Sequence, residues 1–100
     1  MSDPLPDLVL YTRPGCHLCA DARAMLDGLL ARRAAAGGPS ARVVERDISA
    51  DPDLERRFFD RIPVLEAADR RIELVISPAV VRRFVDEALG AIDTPAAPNR

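Results

Sequence analysis

Asp7-Leu8-Val9-Leu10-Tyr11-Thr12-Arg13-Pro14-Gly15-Cys16-His17-Leu18-Cys19 changes its hydrophobic period partway along. Its first six residues form an apolar run of strand length, stopped by Pro14-Gly15. From Cys16 the period changes: Leu18, Ala22, Met25, Leu26, Leu29 and Leu30 recur at helical spacing, with Arg23 and Asp27 between them. Alanine and leucine dominate this segment, and both favour helix. Gly37-Gly38-Pro39 ends it after about five turns. The stretch therefore reads as strand, tight turn, helix, with both cysteines at the junction.

The rest of the chain extends this unit. Arg42–Arg46 reads as a weaker, partly exposed second strand. Asp51 followed by Pro52 predicts a helix start, with Leu54 and Phe58 on one face four residues apart. Ile62–Glu66 reads as a third strand opening at a proline, and Arg71–Val75 alternates as a half-buried fourth strand should. Ser77-Pro78 repeats the cap-and-proline signal. Val81, Phe84, Val85 and Ala88 then give the buried stripe of a last helix that stops at Gly90. The order is β-α-β-α-β-β-α, an α/β arrangement. Its first β-α-β is a right-handed crossover between parallel strands. The short link between the last two strands implies a hairpin. A four-stranded mixed sheet with helices on both faces follows. Residues 1–92 read as a single domain opening on a loose lead-in over 1–6, and 93–100 as a disordered tail.

Composition narrows the chemistry. One hundred residues suffice for one domain with a real core. The 14 basic residues are all arginine and are scattered as Arg32-Arg33, Arg56-Arg57, Arg70-Arg71 and Arg82-Arg83, which reads as solvated faces rather than a binding patch. The net charge of −2 argues against nucleic acid and against an anionic membrane. The start of the chain shows no signal-peptide pattern, and no apolar run reaches membrane-spanning length. The expected compartment is the cytoplasm, where thiols stay reduced and two cysteines are better suited to chemistry than to stapling.

Cys16-His17-Leu18-Cys19 places a C-x-x-C at a strand-to-helix junction. Unsatisfied N–H groups and the positive end of the helix dipole favour an anion there, and a thiolate is that anion. Cys19 lies three residues on, on the same helical face and within disulfide reach. Two other readings stay open: a zinc site, which needs further ligands beyond two cysteines and one histidine, and a pair of inert buried thiols. His17, the only histidine, either acts on the pair and its substrate or projects into solvent.

Together, Leu10–Cys19, Asp47-Ile48 and Ile62-Pro63-Val64-Leu65 resemble the glutaredoxin-like proteins of the thioredoxin-fold superfamily, over residues 8 to 89. The resemblance implies a thiol–disulfide oxidoreductase with Cys16 as nucleophile and Cys19 as resolving thiol. It implies a cis peptide before Pro63, with Pro63 shaping a substrate groove, Ile62 offering backbone contacts, and Arg13 facing a substrate carboxylate. The glutathione-using members are similar to one another in a Gly-Gly pair before the last helix. Val75-Ile76-Ser77-Pro78-Ala79 departs from it and has no glycine to let a backbone approach that ligand. Glutathione stays a candidate electron donor against which this departure counts. No bound cofactor and no metal are expected. The expected partner is a disulfide-containing protein or small thiol, and the expected state is a monomer. The rivals are a binding module on the same fold without turnover, and a metal or iron–sulphur site bridging two chains.

Overall fold

Alternation along two central strands organises the core. The computed structural model describes residues 6–75 and 77–90. Strand β1 (Leu8–Thr12) lies inside a four-stranded sheet of order β2-β1-β3-β4, with β2 at Val43–Asp47, β3 at Val64–Ala67 and β4 at Arg70–Ile72. β1 runs parallel to β2 and antiparallel to β3, and β3 and β4 form a hairpin. Leu8 and Leu10 point to one face, where Leu65 and Ala67 join them. Helix α1 (His17–Ala35) and helix α3 (Pro78–Leu89) cover that face with Ala22, Leu26, Leu30, Val81, Phe84, Val85 and Leu89. Tyr11 and Val64 point to the other face and pack with Ile48, Leu54 and Phe58, the last two from helix α2 (Pro52–Phe58). Because side chains alternate along a strand, the same short run serves both cores.

The helix starts are local in origin. Asp51 Oδ1 accepts from the N–H groups of Asp53 at 2.9 Å and Leu54 at 3.4 Å, with Pro52 opening α2. Ser77 Oγ accepts from the Val80 N–H, with Pro78 opening α3. Each cap satisfies N–H groups that the helix cannot.

The structure corrects the sequence reading at several points. Arg33 does not lie on a solvated face: it is 1% exposed. Its Nε donates to the Pro39 carbonyl at 2.7 Å, its Nη1 to Asp86 at 2.6 Å, and its Nη2 to the Gly90 carbonyl. Such a charge is tolerated inside because its donors are matched by acceptors. Leu18 falls beside the buried stripe of α1 and is exposed, while Cys19 takes the inward position. β4 covers Arg70–Ile72 and does not reach Val75. Leu74 has φ 54° and is 52% exposed, whereas Val75 is fully buried. The reason is a change of partner. The Leu74 and Val75 N–H groups donate to the carbonyls of Arg61 and Pro63, both at 3.0 Å, and no longer to a strand. The expected disordered tail over 93–100 lies outside the described residues, as does Ile76. Among the described residues, no helix is long and apolar enough to cross a membrane.

Candidate functional site

The site is built where β1 ends and α1 begins. Gly15, at φ 79°, lets the chain turn, and the Cys16 N–H closes the turn on the Arg13 carbonyl at 3.3 Å. Cys16 is then the N-cap of α1: its Sγ accepts from the Cys19 N–H at 3.1 Å and its carbonyl from the Ala20 N–H at 3.1 Å. A cysteine thus holds the place usually taken by serine, threonine, asparagine or aspartate. The first-turn amide and the dipole that stabilise a capping oxygen act here on sulfur.

Cys16 and Cys19 are joined by a disulfide, with their Cα atoms 5.2 Å apart. The two sulfurs belong to unequal surroundings, because Cys16 is partly exposed and Cys19 only 3% exposed. Opening the bond gives a dithiol whose first member is reachable and whose second is sheltered one helical turn further in. A shallow depression of about 390 Å³ surrounds the pair, lined by Arg13, Pro14, Gly15, Cys16, His17, Cys19, Ala20 and Glu45.

Of the residues singled out in the sequence, Arg13, Cys16, His17 and Cys19 therefore share one depression. His17 is the exposed first residue of α1. Arg13 is not free there: its Nη2 lies 2.6 Å from Glu55 Oε2 of α2. Its charge also reaches Asp47. The Asp47 carboxyl is held below its usual value chiefly by hydrogen bonds from the Ser49 hydroxyl and N–H, with a smaller contribution from Arg13.

Ile62 and Pro63 do not line the depression, but they lie at the same end of the sheet. The Ile62–Pro63 peptide is cis. β3 pairs with β1 through Tyr11 and Val64, so the next position sets Pro63 opposite Thr12. The Ile62 N–H donates to the Phe58 carbonyl at 3.2 Å, and the Pro63 carbonyl is taken by Val75. Among the described residues, no backbone N–H donates to the Ile62 carbonyl.

Sequence reasoning passed over Glu45 and Glu55. Glu45 Oε1 accepts from Arg23 Nη1 at 3.0 Å and its Oε2 from Thr12 Oγ1 at 2.9 Å. A signal for it exists, since parallel β1 and β2 end together and ligand crevices form outside the carboxyl ends of parallel strands. Glu55 lies 42 residues from Arg13 and carries no comparable signal. Among the described residues, no three histidine, cysteine, aspartate or glutamate side chains cluster to hold a metal ion. A second cavity, of about 540 Å³ between β4 and α3, is lined by neither cysteine.

Known proteins share this fold. A family model described as Glutaredoxin-like domain (DUF836) matches residues 7–90. No curated protein matches the chain. Among solved structures, the structural-genomics target protein XcR50 from X. campestris is similar at 28% identity and a TM-score of 0.64, covering 81% of this chain and 97% of its own. Protein Ne2328 from Nitrosomonas europaea is 24% identical with a TM-score of 0.59, covering 84% and 95%. Mitochondrial thioredoxin 3 from Saccharomyces cerevisiae, in its oxidized form, is 13% identical with a TM-score of 0.57 over 82% of this chain and 77% of its own, a likeness of fold alone. With a mixed four-stranded sheet, a cysteine pair capping the first helix, and a family match spanning nearly all the described residues, the chain belongs to the glutaredoxin-like domain family and has the thioredoxin fold.

Proposed function

We propose that this protein is a thiol–disulfide oxidoreductase that cycles Cys16 and Cys19 between dithiol and disulfide. The observation that carries the reading is the disulfide at the α1 N-terminus, with Cys16 capping the helix and Cys19 buried behind it. In the reduced protein, the amide and dipole at the cap favour the Cys16 thiolate, which is the nucleophile. It attacks one sulfur of a substrate disulfide, forming a mixed disulfide and expelling the other sulfur as a thiolate that takes up a proton. Cys19 gives up its proton and attacks Cys16, releasing the second substrate thiol. The substrate disulfide gains two electrons and two protons, and the protein is left as the Cys16–Cys19 disulfide. Two external thiols, or one dithiol, then return it to the dithiol and leave as a disulfide.

The Ile62 carbonyl, at this end of the sheet, suits an extended substrate segment beside the cysteines. The substrate class is a disulfide-bearing protein or a small disulfide, handled by a monomer. Such a cycle fits a reducing compartment, which makes the cytoplasm the expected location.

Single-cysteine variants test the assignment. With Cys19→Ser, a mixed disulfide between Cys16 and a model disulfide substrate should accumulate and be visible by intact mass. Cys16→Ser should form no such adduct and should lose turnover by about a thousandfold or more, the scale of removing a nucleophile. Full turnover by Cys16→Ser would overturn the assignment.

A further inference from the structure

Two charged side chains line the depression at the cysteines, and each already has an opposite charge. Glu45 is matched by Arg23, with Thr12 bonded to its second oxygen. Arg13 is matched by Glu55 from α2 at 2.6 Å. The Arg13–Glu55 pair is not buried, with side-chain exposures of 37% and 43%. Exposed pairs of this kind are weak and open to competition. An anion arriving at the depression must nevertheless share Arg13 with Glu55, whose bond takes one guanidinium nitrogen, and it meets the Glu55 charge while doing so.

We propose that Glu55 is a specificity-determining residue. By holding Arg13, it cancels the guanidinium charge beside Cys16 and makes the site select neutral and cationic disulfides over anionic ones. This rests on the oxidoreductase reading above and names its substrate class. The reaction concerned is balanced: the protein dithiol and RSSR give the Cys16–Cys19 disulfide and two RSH. Glu55 takes no part in bond making. It acts through Arg13 on the approach of the substrate.

The experiment uses the full chain, reduced and freed of reductant, and mixed at neutral pH with one of three probes. These are glutathione disulfide, which is anionic, bis(2-hydroxyethyl) disulfide, which is neutral, and cystamine, which is dicationic. Acid quench, alkylation and mass give the oxidation rate for each. A change in Cys16 ionisation alters all three rates together, so the readout is the ratio between probes.

Glu55→Gln should raise the ratio of glutathione disulfide to neutral disulfide by about threefold to tenfold at low salt, and lower the cystamine ratio, as one uncancelled charge steers the encounter. The shift should shrink at high salt. It should be absent in Glu55→Asp, which keeps the charge, and in the double variant Arg13→Gln/Glu55→Gln. Ratios unchanged in Glu55→Gln, or a shift that survives in the double variant, would overturn the proposal. If the wild-type dithiol reacts with none of the probes faster than Cys16→Ser does, the oxidoreductase reading itself has failed, and this proposal with it.

Discussion

The two ends of α1 put opposite demands on one helix. At the N-terminus, Cys16 caps the first turn from a partly exposed position, and an open depression surrounds it. At the C-terminus, Arg33 is sealed inside, donating to Asp86 of α3 and to the carbonyls of Pro39 and Gly90. Both ends agree with the helix dipole: the positive end faces the Cys16 sulfur, and the negative end carries Arg32 and Arg33. They differ in how their polar groups are matched. The buried guanidinium shares its donors among three acceptors, whereas Cys16 sulfur has one amide and an approach from solvent. A reactive group has to stay incompletely enclosed, and a structural charge has to be enclosed with partners.

The sharpest way to break this contrast is to unpair the buried end. Asp86→Ala leaves the Arg33 charge buried with only carbonyls, so urea unfolding should show a loss of about 3 kcal/mol. Arg33→Met removes the charge along with its bonds and should cost less, about 1–2 kcal/mol. Under native conditions neither variant should change the rate at which the Cys16 dithiol meets a neutral disulfide. A changed rate would mean the two ends are coupled through α1. Asp51→Ala removes the cap of α2, the helix that carries Glu55. It should cost about 1 kcal/mol by urea unfolding and also loosen the hold on Arg13. The smallest effect concerns pH. Bonds from Ser49 depress the Asp47 carboxyl below 3.8, so its folded form binds protons less readily than the unfolded chain. The stability it contributes is present above pH 3.8 and is lost as pH falls through the lower folded value. The midpoint difference between wild type and Asp47→Ala should be constant near neutrality and shrink only below pH 3.8.

Much of the fold was legible because its signals are local. The switch from an apolar run of strand length to helical period at Cys16, and the two cap-proline pairs Asp51-Pro52 and Ser77-Pro78, each depend on a few neighbouring residues. The cysteine pair was legible for the same reason, since a helix start and a three-residue spacing are local features. The end of β4 was not. The alternation of Ile72, Glu73, Leu74 and Val75 persists in the sequence, but the backbone there bonds to Arg61 and Pro63 rather than to a strand. Hydrophobic pattern reports which side chains are apolar and carries no record of where the backbone finds its partners.

The element order, the parallel crossover and the place of Cys16 and Cys19 at a helix start were set by periodicity, caps and spacing, all of which act within a few residues, and the family was recognisable from the resemblance of its motifs. Which charges pair with one another was settled by packing. Arg13 and Arg33 look alike as exposed arginines in the chain, yet one is held by Glu55 beside the cysteines and the other is sealed against Asp86. Their partners lie 42 and 53 residues away. A charge finds its partner through space, so its burial and its role emerge only when distant elements are packed together.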